Sequence, residues 1–137
     1  MATQTIETIY DFDFEVIGIT SQERETRLAW SLNMALDFGL IRVEDHQLFV
    51  KSGKSEHCKF ESYHEEDNVT LTLLSNKGSN AYLLPEFSRF DYILILDGVP
   101  SEIVEMMVKA IRKVNFVLAA FPLEPESLKS KYNLILE

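Results

Sequence analysis

The sequence predicts a single α+β domain over residues 1–137, in which two main helices pack on a largely antiparallel sheet. Three short strand-like segments, at 47–51, 58–65 and 69–75, are separated by turn-forming residues, which is typical of consecutive hairpins. Two longer segments repeat apolar residues at helical spacing. With 137 residues, 46% of them hydrophobic, the chain can bury a core without disulfides or metals.

The first predicted elements are a strand at 12–20 and the helix that follows it. The strand begins with alternating apolar and charged residues and then becomes apolar throughout, which indicates that its second half is covered on both faces. Thr20 and Glu23 have the spacing of a capping box, so the Thr20 hydroxyl should accept a hydrogen bond from the Glu23 amide. The helix should extend to Phe38 and end at Gly39, the usual left-handed terminator.

The second half of the chain predicts a further helix and shorter strands. Residues 81–84 favour a short strand that ends at Pro85, and residues 91–96 favour a buried one. Ser101 should cap the second helix, a strand should follow at 115–121, and an apolar tail lies at 134–136. The apolar face predicted for this helix consists of Ile103, Met107, Ala110 and Val114, with Val104 and Ile111 beside them.

Charge and cysteine content restrict the partners and the compartment. The formal charge is −9, from 22 acidic against 13 basic residues, and an acidic surface repels nucleic acids and anionic membranes. Cys58 is the only cysteine, so no internal disulfide can form, which is typical of a reducing cytoplasm. No secretory h-region or bilayer-spanning apolar segment is evident. We therefore expect a cytoplasmic protein that binds neither nucleic acid nor membranes.

One segment of nine residues, 84–92, stands out as a motif and is called the signature segment below. It consists of Leu84, Pro85, Glu86, Phe87, Ser88, Arg89, Phe90, Asp91 and Tyr92. It resembles the signature of an uncharacterised bacterial family named for the pattern IPExxxVDY, with Leu84 in place of Ile and Phe90 in place of Val. Blocks at 13–19, 27–33, 75–77 and 128–135 resemble the family's other recurring blocks, in the same order. The resemblance implies no reaction, because no activity, cofactor or catalytic residue is established for that family.

The closest approach to a metal-site pattern is formed by His57, Cys58 and His64. On a strand His57 faces away from the other two, and Cys58 and His64 would lie roughly 20 Å apart. Zinc ligands must converge to within about 2.3 Å of one ion. We therefore expect a buried thiol and two surface imidazoles, and no metal or other cofactor. The chain also has no nucleophile-elbow or phosphate-binding glycine motif, so no catalytic residue is predicted.

Two interpretations of the signature segment remain open. Pro85 fixes its own φ, and Asp91 can hold the turn that precedes the Tyr92 strand, which would make the segment a structural connector. In that case Arg89 should pair with Glu86 or Asp91. Alternatively, Glu86, Arg89, Asp91 and Tyr92 form an exposed polar patch that binds a partner.

The first helix carries more apolar surface than one buried face requires. Its expected core stripe consists of Leu28, Leu32, Ala35 and Leu36. Trp30, Met34 and Phe38 form a second apolar ribbon on the far side. This ribbon is covered either by another part of the chain, such as the 134–136 tail, or by a second protein, because Trp, Met and Phe are enriched at the centres of interfaces.

The leading functional hypothesis is a non-catalytic adaptor that acts through protein–protein contact, and a homodimer is one expected form of that contact. Trp30, Met34 and Phe38 are its predicted apolar anchors, with the polar patch as a second contact. The alternative is a small hydrolase or small-ligand sensor with a carboxylate-lined pocket between sheet and helices. Its candidate residues are Glu86, Asp91 and His64.

Overall fold

Six antiparallel strands and two helices form the architecture, in a computed structural model that describes residues 14–124 and 130–134. The strands are β1 (Glu15–Thr20), β2 (Ile41–Val50), β3 (Gly53–His64), β4 (Val69–Ser75), β5 (Tyr92–Asp97) and β6 (Ala119–Leu123). The helices are α1 (Glu25–Leu36) and α2 (Ser101–Arg112), and short 3-10 helices lie at Pro85–Phe87 and Lys131–Leu134. The predicted α+β class, with two helices on an antiparallel sheet, is confirmed. Neither α1 nor α2 has the length and apolar character needed to cross a membrane.

The sheet has the order β2-β3-β4-β5-β1-β6, and every neighbouring pair is antiparallel. The predicted hairpins β2–β3 and β3–β4 are therefore confirmed. β1 lies between β5 and β6, so Ile17 is opposite Leu94 on one side and Pro122 on the other. This side of the sheet is thus built from segments that are distant in the sequence.

Both faces of the sheet are covered. On one face Ile17, Leu71 and Leu94 pack with buried side chains of the two helices, among them Leu28 and Val108. On the other face, core residues come from the sheet, the 76–91 connection and the 130–134 segment: Val16, Leu74, Leu83, Leu84, Phe90, Ile93, Ile95 and Leu134. Cover on both sides explains the continuous apolar run of β5 and confirms the prediction made for the second half of β1.

The predicted beginning and end of α1 are wrong. The Glu23 amide donates to Ser21 Oγ, 3.2 Å away, while the Thr20 hydroxyl donates to the carbonyl of Arg89. Thr20 faces the signature segment instead of the helix, so no capping box forms. The helix ends at Leu36 because Asp37 adopts the left-handed conformation, with φ of 55°, two residues before Gly39.

Other boundaries also differ from the predictions. Residues 81–84 form only an isolated bridge between Lys77 and Tyr82, and β6 begins at Ala119 rather than at 115. The Ser101 hydroxyl donates to its neighbour Glu102 and does not cap α2. The buried residues of α2 are Val104, Val108 and Ile111, whereas Ile103 is exposed. The predicted residues 12, 13, 135 and 136 lie outside the described part of the chain.

Candidate functional site

The two helices are antiparallel and leave an open groove between them on the side away from the sheet. Leu36, at the end of α1, lines a cavity together with Ile103 near the start of α2. At the other end, the guanidinium of Arg27 lies 5.1 Å from the centroid of the Phe116 ring, just beyond α2. Between these ends the groove contains two hollows of about 470 and 240 Å³, and Ala35 lines both.

Large apolar side chains from both helices and the turn after α2 surround this groove. They are Trp30, Met34, Ile103, Met106 and Phe116, and together they are called the apolar helix face below. Trp30 is 60% exposed, Met34 69% and Met106 67%. Trp30 and Met34 are one turn apart on α1, so they lie on the same side of the helix. A continuous exposed surface of this kind marks an interaction site more often than single exposed residues do.

The predicted ribbon of α1 is only partly present. Trp30 and Met34 are exposed as expected, but Phe38 is only 7% exposed and belongs to the main core. Because Asp37 is left-handed, the chain turns before Phe38 and directs its side chain inward. Ala35, predicted to be in the core, is exposed at the groove. The apolar surface therefore extends to α2 instead of continuing along α1.

The signature segment lies at the other face of the sheet and is tied to the framework by its polar side chains. Glu86 accepts hydrogen bonds from the amide and hydroxyl of Ser130, at 3.0 and 2.6 Å. Asp91 accepts from the amide of Ser21 at 2.9 Å, in the turn between β1 and α1. These bonds join the segment to the 130–134 region and to the start of α1.

The other two polar residues of the signature segment, Arg89 and Tyr92, also contact neighbouring parts of the chain. The guanidinium of Arg89 lies 5.4 and 5.1 Å from the ring centroids of Phe87 and Phe90, which places it over two aromatic rings of its own segment. Tyr92 is buried, and its hydroxyl donates to the carbonyl of Glu23. Burial raises the pKa of the Tyr92 phenol. The prediction that Tyr92 belongs to an exposed patch is therefore wrong. Glu86, Arg89 and Asp91 do lie at the surface.

A buried asparagine holds the signature segment in place. The Asn76 side-chain amide donates to the carbonyls of Phe87 and Phe90 at 2.9 and 2.8 Å, and its oxygen accepts from the Leu84 amide at 2.8 Å. Asn76 is fully buried, so water does not compete for these bonds. It belongs to the 75–77 block of the family resemblance, but the sequence did not indicate this role.

Sequence reasoning also missed a serine–histidine pair. Ser55 Oγ lies 3.1 Å from Nε2 of His57, whose Nδ1 lies 2.9 Å from the carbonyl oxygen of Ser75. A nucleophile and its base have this arrangement in hydrolases. Both side chains are fully buried, however, and Ser55 Oγ also accepts from the amide of Ala81. The backbone at Gly78 lies so close that a Cβ there would overlap both side chains, so substrate has no access.

The residues considered for a metal site differ from the prediction in their burial. His57 is fully buried, which corrects its assignment as a surface imidazole; its ring centroid is 6.4 Å from that of His46. Cys58 lies on the other face of the sheet, where burial raises the pKa of its thiol to about 11. His64 bonds to the carbonyl of Phe38. Within residues 14–124 and 130–134, no three potential metal ligands converge.

The two neighbouring imidazoles make stability dependent on pH. Burial lowers the pKa of His46 and of His57 from 6.5. The unfolded chain therefore binds protons that the folded chain does not, and the free energy of unfolding, maximal above pH 6.5, should fall as the pH decreases below that value. Urea unfolding between pH 7.5 and 5.5 should show a slope of up to about 1.4 kcal/mol per pH unit for each histidine.

Replacing one of these histidines separates their effect from that of other groups. His46→Gln retains a hydrogen-bond donor for the Asn133 carbonyl, which lies 3.2 Å from Nε2 of His46, and it should reduce the pH slope. An unchanged slope in His46→Gln would show that His46 does not contribute to the pH dependence.

The carboxylate-pocket alternative is matched by a cavity, but not by the set of candidate residues predicted for it. A cavity of about 510 Å³ lies between the end of α1, the β3–β4 turn and the start of α2, and His64, Asp37 and Asp67 are among its lining residues. Asp91 and the other candidate, Glu86, are not among its lining residues. Asp91 precedes β5, whereas the cavity lies beyond the other end of that strand, roughly 20 Å away. The three candidate residues of the alternative therefore do not form one site.

Comparisons with known proteins give no assignment. No protein-family model matches the chain, and no curated protein or solved structure does. The resemblance to the IPExxxVDY pattern stays a prediction from the sequence.

Proposed function

We propose that the protein is a non-catalytic cytoplasmic adaptor whose apolar helix face binds another protein. The observation that carries this proposal is the exposure of Trp30, Met34, Met106 and Phe116 around one groove, with Ile103 in the cavity at its end. Tryptophan, phenylalanine and methionine are enriched at the centres of protein interfaces. Covering these side chains with a partner removes apolar surface from water, which is the main favourable contribution to protein association.

The state of the reactive groups supports contact rather than catalysis as the function. The Ser55–His57 pair is buried under the backbone at Gly78. Cys58, with its raised pKa, remains a neutral thiol at neutral pH and is a poor nucleophile. Glu86 and Asp91 are engaged in bonds that hold the framework together. In this proposal the signature segment supports the fold, and the helices supply the binding surface.

Charged substitutions on the apolar helix face test the proposal. Trp30→Asp combined with Met106→Asp places two carboxylates among side chains that a partner would bury, so binding should weaken by 30-fold or more, equivalent to about 2 kcal/mol. Affinity pull-down from the native cell, with mass spectrometry and titration of each purified binder, measures this effect. Both positions are exposed, so circular dichroism and the melting temperature should remain close to those of the unchanged protein.

Phe49 provides a matched control. It is 77% exposed on β2, at the edge of the sheet and away from the helices, so Phe49→Asp introduces the same type of change elsewhere. Binders should be retained by Phe49→Asp and lost by the double variant. Equal binding by the double variant and the control would contradict the proposed surface.

A further inference from the structure

The charged residues that flank the apolar helix face are divided between its two ends. Asp37 and Glu102 are exposed at the end where α1 finishes and α2 begins. Arg27 and Lys113 are exposed at the other end, where α1 begins and α2 finishes. Arg27 lies 3.7 Å from Glu23, but this exposed pair is weak and leaves the guanidinium available. Among the exposed charges the surface is therefore acidic at one end and basic at the other, with the apolar side chains and Lys109 between them and the half-buried Glu23 and Glu25 near Arg27.

This distribution restricts the partner. A uniformly acidic or uniformly basic protein would be repelled by one end of the surface, whichever way it docked. A partner with the same acidic–apolar–basic order, bound in the reverse direction, would find an opposite charge at both ends. A second copy of this chain has that order.

We infer that the partner is a second copy of this chain, bound through the apolar helix face around a two-fold axis that lies in the interface, perpendicular to the helices. This inference rests on the proposed function and names its partner. The axis places α1 against α1 and α2 against α2 in antiparallel directions, so that Asp37 and Glu102 of each copy approach Arg27 and Lys113 of the other. An axis parallel to the helices would place each acidic end on the partner's acidic end. The charge pattern therefore selects one arrangement of the dimer.

The size of the surface is compatible with a dimer. When each side chain is weighted by its exposed fraction, the five side chains of the apolar helix face present roughly 500 Å² of surface. A standard interface buries about 800 Å² per partner. The exposed charged residues at the two ends add to this area. Because each copy has a net charge of −9, the copies repel one another at long range, and the local match between acidic and basic ends must overcome this repulsion.

A charge exchange between the two ends tests the arrangement. Lys113→Glu and Glu102→Lys each place like charges opposite one another, twice in a two-fold dimer, so either one should weaken dimerisation by about tenfold or more. The double variant with both changes restores opposite charges and should return the dissociation constant to within about threefold of the original. Sedimentation equilibrium of the full chain measures all four proteins.

Two further variants serve as controls. Lys54→Glu, at the exposed start of β3, changes the net charge as much as Lys113→Glu does, but should leave dimerisation unchanged. Trp30→Asp with Met106→Asp should yield a folded monomer. A dimer that persists in this folded variant, or a charge exchange that fails to restore association, overturns the inference. A chain that is monomeric at every concentration also overturns it, while the pull-down with the same double variant continues to test the proposed function separately.

Discussion

Asn76→Ala should lower the free energy of unfolding by roughly 3–5 kcal/mol, the largest effect expected of any single substitution considered for this chain. The amide is fully buried and makes three hydrogen bonds to the backbone at Leu84, Phe87 and Phe90. Removing it leaves the Leu84 amide and the Phe90 carbonyl without these bonds, at about 1–3 kcal/mol for each buried group, while the Phe87 carbonyl keeps its bond from the Phe90 amide. Urea unfolding followed by circular dichroism measures the loss.

Asn80 is the matched control for this prediction. Its side chain is exposed and donates to Ser52 Oγ at 3.0 Å, so Asn80→Ala should cost less than about 1 kcal/mol. Asn76→Asp is informative as well, because it keeps the acceptor for the Leu84 amide but directs a carboxylate at two carbonyl oxygens. It should be at least as destabilising as Asn76→Ala. If Asn76→Ala cost no more than Asn80→Ala, the anchoring role of Asn76 would be wrong.

Gly18→Ala should cost about 2 kcal/mol because the signature segment packs directly on this glycine. A Cβ at Gly18 would lie 2.7 Å from Cγ and Cδ2 of Phe90, which is closer than carbon atoms can approach without displacement. Phe90 is 1% exposed, and its ring centroid lies 5.9 Å from that of Phe87 and 6.1 Å from that of Phe121. The ring therefore has little room to move. Overpacking of this kind typically costs 1–3 kcal/mol.

A double-mutant cycle with Phe90→Val tests the origin of this cost. The IPExxxVDY pattern has valine at this position, and the smaller side chain leaves space for a Cβ at Gly18. Gly18→Ala should therefore be less harmful in the Phe90→Val protein, with a coupling free energy of about 1–2 kcal/mol. Urea unfolding of the four proteins gives the cycle. Simple additivity of the two effects would contradict a direct contact as the cause.

Local patterns predicted most of the elements, whereas a long-range partner explains why the capping box predicted at Thr20 is absent. The hairpins β2–β3 and β3–β4 join segments that are adjacent in sequence, so turn residues and apolar alternation were sufficient to predict them. Thr20 had the correct spacing for a capping box, but its hydroxyl donates to Arg89, 69 residues away. No spacing within the first 40 residues contains that information. The pairing of β1 with β5 and β6 was equally inaccessible to local reasoning.

The candidate surface was only half predictable for the same reason. Trp30 and Met34 follow from the periodicity of one helix, because they lie opposite its buried residues. Ile103 also has helical spacing, but the side of α2 that faces the core depends on how α2 packs on the sheet. In the structure Val104 and Val108 face the core and Ile103 does not. Met106 is exposed for the same reason and is therefore part of the apolar helix face. The pattern could not show that two helices contribute to one groove.

The serine–histidine pair, in contrast, could have been detected in the sequence. Ser55 and His57 are two residues apart on one strand, so their side chains must lie on the same face. What the sequence lacked was the connection that covers them, because the contacts of residues 78–81 with β3 depend on the course of a long loop.

The position of β1 in the sheet has a consequence for synthesis on the ribosome. β1 leaves the exit tunnel well before its two neighbours, β5 and β6, which are separated from it by more than 70 residues. Until those strands are translated, its four consecutive buried residues, 16–19, have no partner to shield them in the nascent chain. The β2–β4 meander can form during translation, but the sheet closes only once β6 has been made. A nascent chain of this topology therefore needs early protection from aggregation, such as a ribosome-associated chaperone provides.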